Sequence, residues 1–99
     1  MDESTPQPNI QIDLDPEIAQ GKYCNIAISN YSHEEFILDF AFLQPQLQKA
    51  NIRSRIVLTP GNTKKLMQLL SHQVGDYEEK FGPISDDNSN NNAIKMSFN

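Results

Sequence analysis

The sequence contains one cysteine, Cys24, and two histidines, His33 and His72, the residue types from which a thiolate–imidazole nucleophile is built. Cys24 falls at the same alternating positions as Ile26 and Ile28, in a pattern typical of a strand. A cysteine buried in such a strand behaves as a small hydrophobic residue. We therefore predict that Cys24 is structural and that the chain has no catalytic residue. An enzyme based on Cys24 stays as a residual alternative.

A metal site is not predicted. His33, Glu34 and Glu35 are consecutive residues of types that bind metal ions, but they fall in a predicted turn. The spacing that places two histidines on one helix face is absent. One cysteine and two widely separated histidines match no zinc-ligand spacing. The sequence therefore predicts neither a metal ion nor another cofactor.

Asp39 interrupts the most apolar segment of the chain, Glu35–Leu43. A carboxyl group buried there without a partner would have a raised pKa and would be a candidate functional group. Buried charges are usually paired, and Arg53 or Arg55 on the following predicted strand is a suitable cross-strand partner. We therefore favour an ion pair over a functional carboxyl group.

The basic residues are concentrated in the middle of an acidic chain of net charge −5. No acidic residue lies between Asp39 and Asp76, and this basic window holds Lys49, Arg53, Arg55, Lys64 and Lys65. The net charge disfavours broad, non-specific nucleic-acid binding. The basic window is suited to an acidic protein surface. With Tyr23 and Tyr31 nearby it also has the residue types of a single-strand nucleic-acid surface, which is the alternative.

About four short strands are needed to position these residues. Period-two alternation predicts strands at Ile10–Leu14, Tyr23–Tyr31, Glu35–Leu43 and Asn51–Thr59. Because Glu35–Leu43 is apolar on both sides, it is expected at the centre of an antiparallel sheet and covered on both faces. One helix covers only one face of a small sheet, so the second layer is expected from another copy of the chain.

One long helix is predicted after the strands. Thr59 is a suitable N-cap, Pro60 suits the first helical position, and Gly82 ends the helix after Phe81. Its apolar residues are spaced three and four apart, and this helix seam comprises Met67, Leu70, Val74, Tyr77 and Phe81. A helix of this length is expected to extend past strands of about six residues, each about 20 Å long. The helix seam is therefore predicted to form an oligomer interface.

The two ends of the chain differ in composition from the segment between them. We predict a disordered arm at 1–8, a single α+β domain at 9–84 and a disordered tail at 85–99 that is rich in Asn, Asp and Ser. Within the tail, Ala93–Phe98 alternates and is either a short added strand or a frayed end. No apolar run is long enough to span a bilayer and the start does not resemble a signal peptide, so a cytoplasmic location is predicted.

Four segments of the chain together resemble a known family. They are Tyr23-x-Asn25, then Glu35–Phe40, then Ser54–Pro60, then the helix end from Tyr77 to Gly82. This combination resembles the uncharacterised prokaryotic domain family DUF3467 over about residues 10–84. The matching positions are Tyr23, Asn25, Phe36, Asp39, Phe40, Arg55, Pro60, Tyr77, Phe81 and Gly82.

The resemblance implies a small bacterial cytoplasmic protein without an assigned activity. In some relatives the gene lies beside that of the largest RNA polymerase subunit, and the resemblance therefore implies a link to transcription. The residues themselves predict an α+β fold: a small antiparallel sheet of about four strands, followed by one long C-terminal helix packed on one face. The favoured function is a non-catalytic, homo-oligomeric protein-interaction module that binds a larger protein assembly. Nucleic-acid binding through the basic window is the alternative.

Overall fold

The computed structural model describes residues 9–85 as a three-stranded antiparallel sheet followed by one long helix. A one-turn helix, α1 (Pro16–Ala19), precedes the sheet. The strands are β1 (Ile26–Tyr31), β2 (Phe36–Gln44) and β3 (Lys49–Leu58), and the helix is α2 (Pro60–Phe81). The order in the sheet is β1-β2-β3, which confirms that the most apolar strand is central. The α+β class is confirmed as well.

Strand register decides which residues share a face of the sheet. Ile28 pairs with Asp39 and Asp39 pairs with Arg55, so these three side chains lie on one face, called here the Asp39 face. Phe40 pairs with Ala27 and Ser54 on the opposite face, called here the Phe40 face. An irregularity after Phe40 leaves Arg53 without a register partner on β2. This is a β-bulge, and it accommodates one extra residue in β3.

The prediction of about four strands was wrong for the described residues, where three strands form. Residues 10–14 alternate as predicted, yet they belong to no strand. A side-chain hydrogen bond of 2.9 Å joins Gln11 to Asp13, as expected where alternate side chains share one side. Ile10, Ile12 and Leu14 are each at least 65% exposed. Alternation fixes which side chains share a side, but a strand also needs a neighbour with free backbone groups.

The ends of α2 lie where the sequence predicts them. The Thr59 hydroxyl accepts a hydrogen bond of 3.2 Å from the Asn62 backbone N–H, which confirms Thr59 as the N-cap. Gly82 follows the last helical residue with φ of 95°, a conformation that glycine adopts without strain. The Gly82 N–H donates to the Glu78 carbonyl at 2.9 Å. The helix is therefore well defined by its own local sequence.

Few apolar side chains are buried. Within the described chain the buried apolar residues are Ile26, Ile28 and Ala41, with Leu43 packed against them. They all lie on the Asp39 face. No residue of α2 is buried, and its only half-buried residues are Thr63, Leu66 and Glu78. The helix therefore approaches the sheet without closing onto it.

The predicted reason for the exposed helix was wrong. β2 has 9 residues and β3 has 10, so β3 extends for about 33 Å, the same length as a helix of 22 residues. The hairpin between them is short, because a 3-10 turn at Pro45–Leu47 and a left-handed Gln48 reverse the chain. Both strands are therefore longer than the about six residues assumed for the comparison with the helix. The helix seam is exposed because α2 packs only loosely against the sheet, with no buried residue of its own, and not because α2 is longer than the sheet.

The predictions for the two ends fall outside the described chain. They are the predicted disordered arm at 1–8 and the predicted disordered tail at 85–99, of which only residue 85 is described. The possible strand at Ala93–Phe98 lies in that tail. They stay predictions.

Candidate interaction surface

The helix seam is the largest regular set of exposed apolar side chains in residues 9–85. Its exposed fractions are 59% for Met67, 50% for Leu70, 45% for Val74, 50% for Tyr77 and 72% for Phe81. Tyr77 and Phe81 contact each other one helical turn apart, with ring centroids 4.9 Å apart. These residues form a continuous apolar stripe along one side of α2. On a protein surface, such a stripe is a candidate interaction site.

An apolar groove runs between this stripe and the sheet. Its volume is about 500 Å³. Leu38 of β2 lines it on the sheet side. The helix side comprises Thr63, Leu66, Met67, Leu70, Ser71 and Val74. The groove therefore brings three of the five helix-seam residues together with a side chain of the Phe40 face.

Asp39 forms the predicted ion pair, and its partner is Arg55. The Arg55 Nε donates to one carboxylate oxygen at 2.7 Å, and its terminal nitrogen donates to the other at 2.9 Å. Asp39 is 1% exposed, whereas the Arg55 side chain is 54% exposed. The hydrogen bonds from Arg55 lower the pKa of Asp39, against the opposing effect of desolvation. Asp39 is thus a paired anion in the sheet, as the sequence predicts.

The basic window does not form one surface. Arg55 lies on the Asp39 face and is paired there. The Arg53 guanidinium lies 5.0 Å from the ring centroid of Phe42, a residue of the opposite face. Lys64 and Lys65 lie on α2, and Lys49 begins β3 at the far end of the strand. The structure therefore divides the five predicted residues among both faces of the sheet and the helix.

Asn25 has a structural role that the sequence patterns did not reveal. Its amide oxygen accepts from the Leu43 backbone N–H at 2.7 Å, and its amide nitrogen donates to the Leu43 carbonyl at 3.1 Å. The side chain thus continues the backbone pairing past the start of β1. Beside it, Tyr23 meets Phe42 edge to face at 6.0 Å. The Tyr23-x-Asn25 motif is therefore explained by sheet structure.

Cys24 lies on a different face from the one predicted. The chain bends at Asn25, so β1 begins only at Ile26. Cys24 is half-buried and lines a pocket of about 380 Å³ with Phe40 and Ser54, which belong to the Phe40 face. Ile26 and Ile28 lie on the opposite face. The bend interrupts the alternation that placed all three side chains together.

The two histidines lie outside the pocket beside Cys24. Neither His33 nor His72 lines the pocket beside it. His33 lies in the turn between β1 and β2, and His72 lies 3.8 Å from the carboxylate of Asp76 on the exposed side of α2. Within residues 9–85, no group of three or more His, Cys, Asp or Glu side chains is placed to hold a metal ion. The described helices include none that is long and apolar enough to cross a membrane.

Comparison with known proteins assigns the chain to a family. Neither the curated proteins nor the solved structures contain a match to this chain. The family described as "Protein of unknown function (DUF3467)" matches residues 1–86, which include the whole sheet and helix. The chain therefore belongs to the DUF3467 family.

Proposed function

We propose that the protein is a non-catalytic, homo-oligomeric interaction module whose helix seam is covered by a second copy of the chain. The observation that carries the proposal is the exposure of the helix seam, which is 45% or more at each of its five residues. The same chain buries three apolar residues in its described part. A small domain that buries so little apolar surface is typically completed by oligomerisation.

The free energy gained by burying the helix seam is comparable to the cost of association. Fully burying one large apolar side chain contributes about 1.5–3 kcal/mol. The helix-seam residues are about half exposed, so two copies together would gain on the order of 10 kcal/mol. Losing translational and rotational freedom costs roughly 4–15 kcal/mol. The balance is close, and we therefore expect the affinity to depend strongly on single helix-seam residues.

The proposal is tested by placing charge on the helix seam. In Val74→Glu with Tyr77→Glu, two apolar contacts of each copy become carboxylates, and we expect the protein to become monomeric. The matched control is Gln68→Glu with His72→Glu, because neither residue belongs to the helix seam or lines the groove. Light scattering on a size-exclusion column measures the mass, and circular dichroism verifies the helix.

A milder variant keeps the test valid if the double variant unfolds. Val74→Ala removes apolar contact without adding charge, and Ala favours the helix. We expect it to weaken the dimer by roughly tenfold while the helix content is retained. An unchanged dimer in both helix-seam variants would refute the role of the helix seam.

The partners beyond a second copy are proposed more generally. The acidic protein and its exposed apolar surface are compatible with docking onto a larger protein assembly. An association with the transcription machinery rests on the family resemblance alone. Affinity purification of the wild type beside the Val74→Glu/Tyr77→Glu variant would test whether the helix seam also recruits another protein.

Nucleic-acid binding through the basic window stays the alternative. Single-stranded DNA binding by the basic window would weaken steeply with salt, and Arg53→Glu with Arg55→Glu would abolish it. Because Arg55 is paired with Asp39, that variant also removes an ion pair, so Lys64→Glu with Lys65→Glu is the better variant. Binding that this second variant leaves unchanged would exclude the helical part of the basic window.

An enzyme that uses Cys24 stays the residual alternative. The pocket beside Cys24 would admit a small alkylating reagent, and rapid labelling at neutral pH would indicate a reactive thiolate. Slow labelling in the folded protein would exclude it.

A further inference from the structure

The charges of α2 are arranged against the dipole of the helix. Lys64 and Lys65 lie in its first two turns, whereas Asp76, Glu78 and Glu79 lie toward its C-terminus. The first turn has no acidic residue, and Lys80 is the one basic residue in the last turn. Anions stabilise a helix near its N-terminus and cations near its C-terminus. In an isolated helix most of these charges are therefore unfavourably placed.

The same arrangement becomes favourable when a second copy of α2 runs in the opposite direction. The basic N-terminal half of each helix then lies beside the acidic C-terminal half of the other. Each set of charges also lies at the end of the neighbouring helix dipole that it complements. A parallel pair would instead place lysines beside lysines and carboxylates beside carboxylates, with the dipoles aligned.

We propose that two copies of the protein associate through an antiparallel, two-fold pairing of their α2 helices along the helix seam. The proposal deepens the proposed function and rests on it, because it specifies the partner and the geometry of the same surface. A two-fold interface uses the same patch on both copies and closes at the dimer. The groove beside Leu38 receives part of the second helix.

The heptad spacing limits the pair to a few registers, and the proposed one is the register that brings the groove residues Met67, Leu70 and Val74 into the interface. In an antiparallel pair the two kinds of seam position face each other, so Leu70 lies beside Val74 of the second copy. Met67 then lies beside Tyr77 of the second copy. This register places Lys64 beside Glu78 of the second copy, both at positions that flank the seam. By symmetry the contact occurs twice.

Glu78 is suited to this contact by its surroundings. It is one of the few half-buried residues of α2, and its carboxylate accepts a hydrogen bond of 3.0 Å from the Ile84 backbone N–H. This bond fixes the carboxylate near the end of the helix, where it can accept from a lysine as well. Lys65 follows Lys64 and Glu79 follows Glu78 in the sequence, and by helical geometry both point away from the seam. They therefore provide matched controls.

The test reverses the charge of Lys64 in one variant and of Glu78 in a second variant, and then mixes the two variants. Lys64→Glu alone places two carboxylates side by side at both contacts, and Glu78→Lys alone does the same with two ammonium groups. We expect each variant alone to dimerise roughly three- to tenfold more weakly than the wild type at low salt. An equimolar mixture of the two variants restores opposite charges at both contacts. We expect it to form a heterodimer of nearly wild-type affinity.

Two controls isolate the charge contact. A mixture of Lys65→Glu with Glu79→Lys changes the same net charges on the outward side, and we expect both single variants and their mixture to resemble the wild type. Glu78→Gln keeps an acceptor for the Ile84 N–H while removing the charge. We expect it to weaken the dimer less than Glu78→Lys. Sedimentation equilibrium measures each affinity, with one variant fluorescently labelled in the mixtures.

The outcomes separate this proposal from the proposed function. A mixture that binds no better than either variant alone would overturn the antiparallel register while the dimer itself stands. Tighter pairing of Lys64→Glu with the wild type than of the wild type with itself would indicate parallel helices and also overturn it. A wild type that stays monomeric at every concentration would instead refute the proposed function.

Discussion

The sheet and helix α2 both have apolar side chains at regular spacing, but the sheet buries three of them within the described chain and α2 buries none. In the sheet, Ile28 is 6% exposed and Ala41 is fully buried. In α2, the least exposed helix-seam residue, Val74, is still 45% exposed. A periodic pattern thus identifies the side chains that favour burial, but it does not identify the surface that buries them. In this protein we attribute that surface to a second copy.

The largest effect is expected from truncating the buried part of the sheet. Ile28→Ala should lower the free energy of unfolding by about 2–4 kcal/mol at every protein concentration, because it removes buried contacts within one chain. Leu70→Ala on the helix seam should lower stability only at concentrations at which the dimer forms. Thermal unfolding across a dilution series distinguishes the two. If Leu70→Ala cost as much as Ile28→Ala at the lowest concentration, the helix seam would be buried in its own chain.

The next effect concerns the charged pair of the sheet and its dependence on pH. The pKa of Asp39 is lowered in the folded protein by the hydrogen bonds from Arg55. A lowered pKa stabilises the fold fully above the unfolded pKa of about 4, and this stabilisation is lost as the pH falls through the folded pKa. Hydrogen bonds to charged groups contribute on the order of 1.5–3 kcal/mol, and the 54% exposure of Arg55 places the expected contribution at or below the lower end of that range. We therefore expect Asp39→Asn to be less stable than the wild type at pH 7.

The difference between wild type and Asp39→Asn should shrink as the pH falls below about 4 and should be lost below the lowered folded pKa of Asp39, because the carboxyl group is protonated first in the unfolded chain and then in the folded protein. Asp76→Asn is the matched control, since that carboxylate is 59% exposed on α2. Urea unfolding at several pH values measures both variants. A constant difference between Asp39→Asn and the wild type across this range would contradict the role assigned to the ion pair.

A smaller effect is expected at the start of α2. Thr59→Ala removes the hydroxyl that accepts from Asn62 N–H and should cost about 1 kcal/mol. Thr59→Ser keeps the acceptor and should cost less. Chemical denaturation at low concentration measures both variants. Equal losses for Ala and Ser would show that the hydroxyl is not the cause.

The smallest effect is expected at Gly75, and its sign is opposite. A Cβ added at this position meets nothing within 4 Å, and the residue is helical. Alanine is favoured over glycine inside a helix by about 0.8–1.0 kcal/mol. Gly75→Ala should therefore stabilise the protein without changing its mass in solution. A weaker dimer would show that the second copy approaches α2 at Gly75, outside the helix seam.

Features fixed by a few neighbouring residues could be predicted from the sequence. Thr59 and Pro60 determine the start of α2 and Gly82 determines its end, and the helix begins and ends where these residues predict. The central position of β2 follows from its apolar character on both sides. The Asp39–Arg55 pair follows from the cost of burying a charge alone. Each of these predictions depends on local chemistry or on a single strong energetic penalty.

The predictions that were wrong concern features that depend on contacts between distant parts of the chain. Residues 10–14 have the pattern of a strand but pair with no strand of the described chain. The bend at Asn25 places Cys24 on the other face, and only the hydrogen bonds of Asn25 to Leu43 reveal why. The spread of the basic window over two faces depends on the bulge at Arg53. Spacing along the sequence does not fix any of these arrangements.

Whether a second copy covers the helix seam is decided by the solution mass of the wild type across a concentration series. Light scattering on a size-exclusion column should give twice the chain mass of 11.2 kDa at high concentration, falling toward that of a single chain on dilution. Val74→Glu with Tyr77→Glu should give the single-chain mass throughout. A wild type with the single-chain mass at every concentration would show that no second copy covers the helix seam.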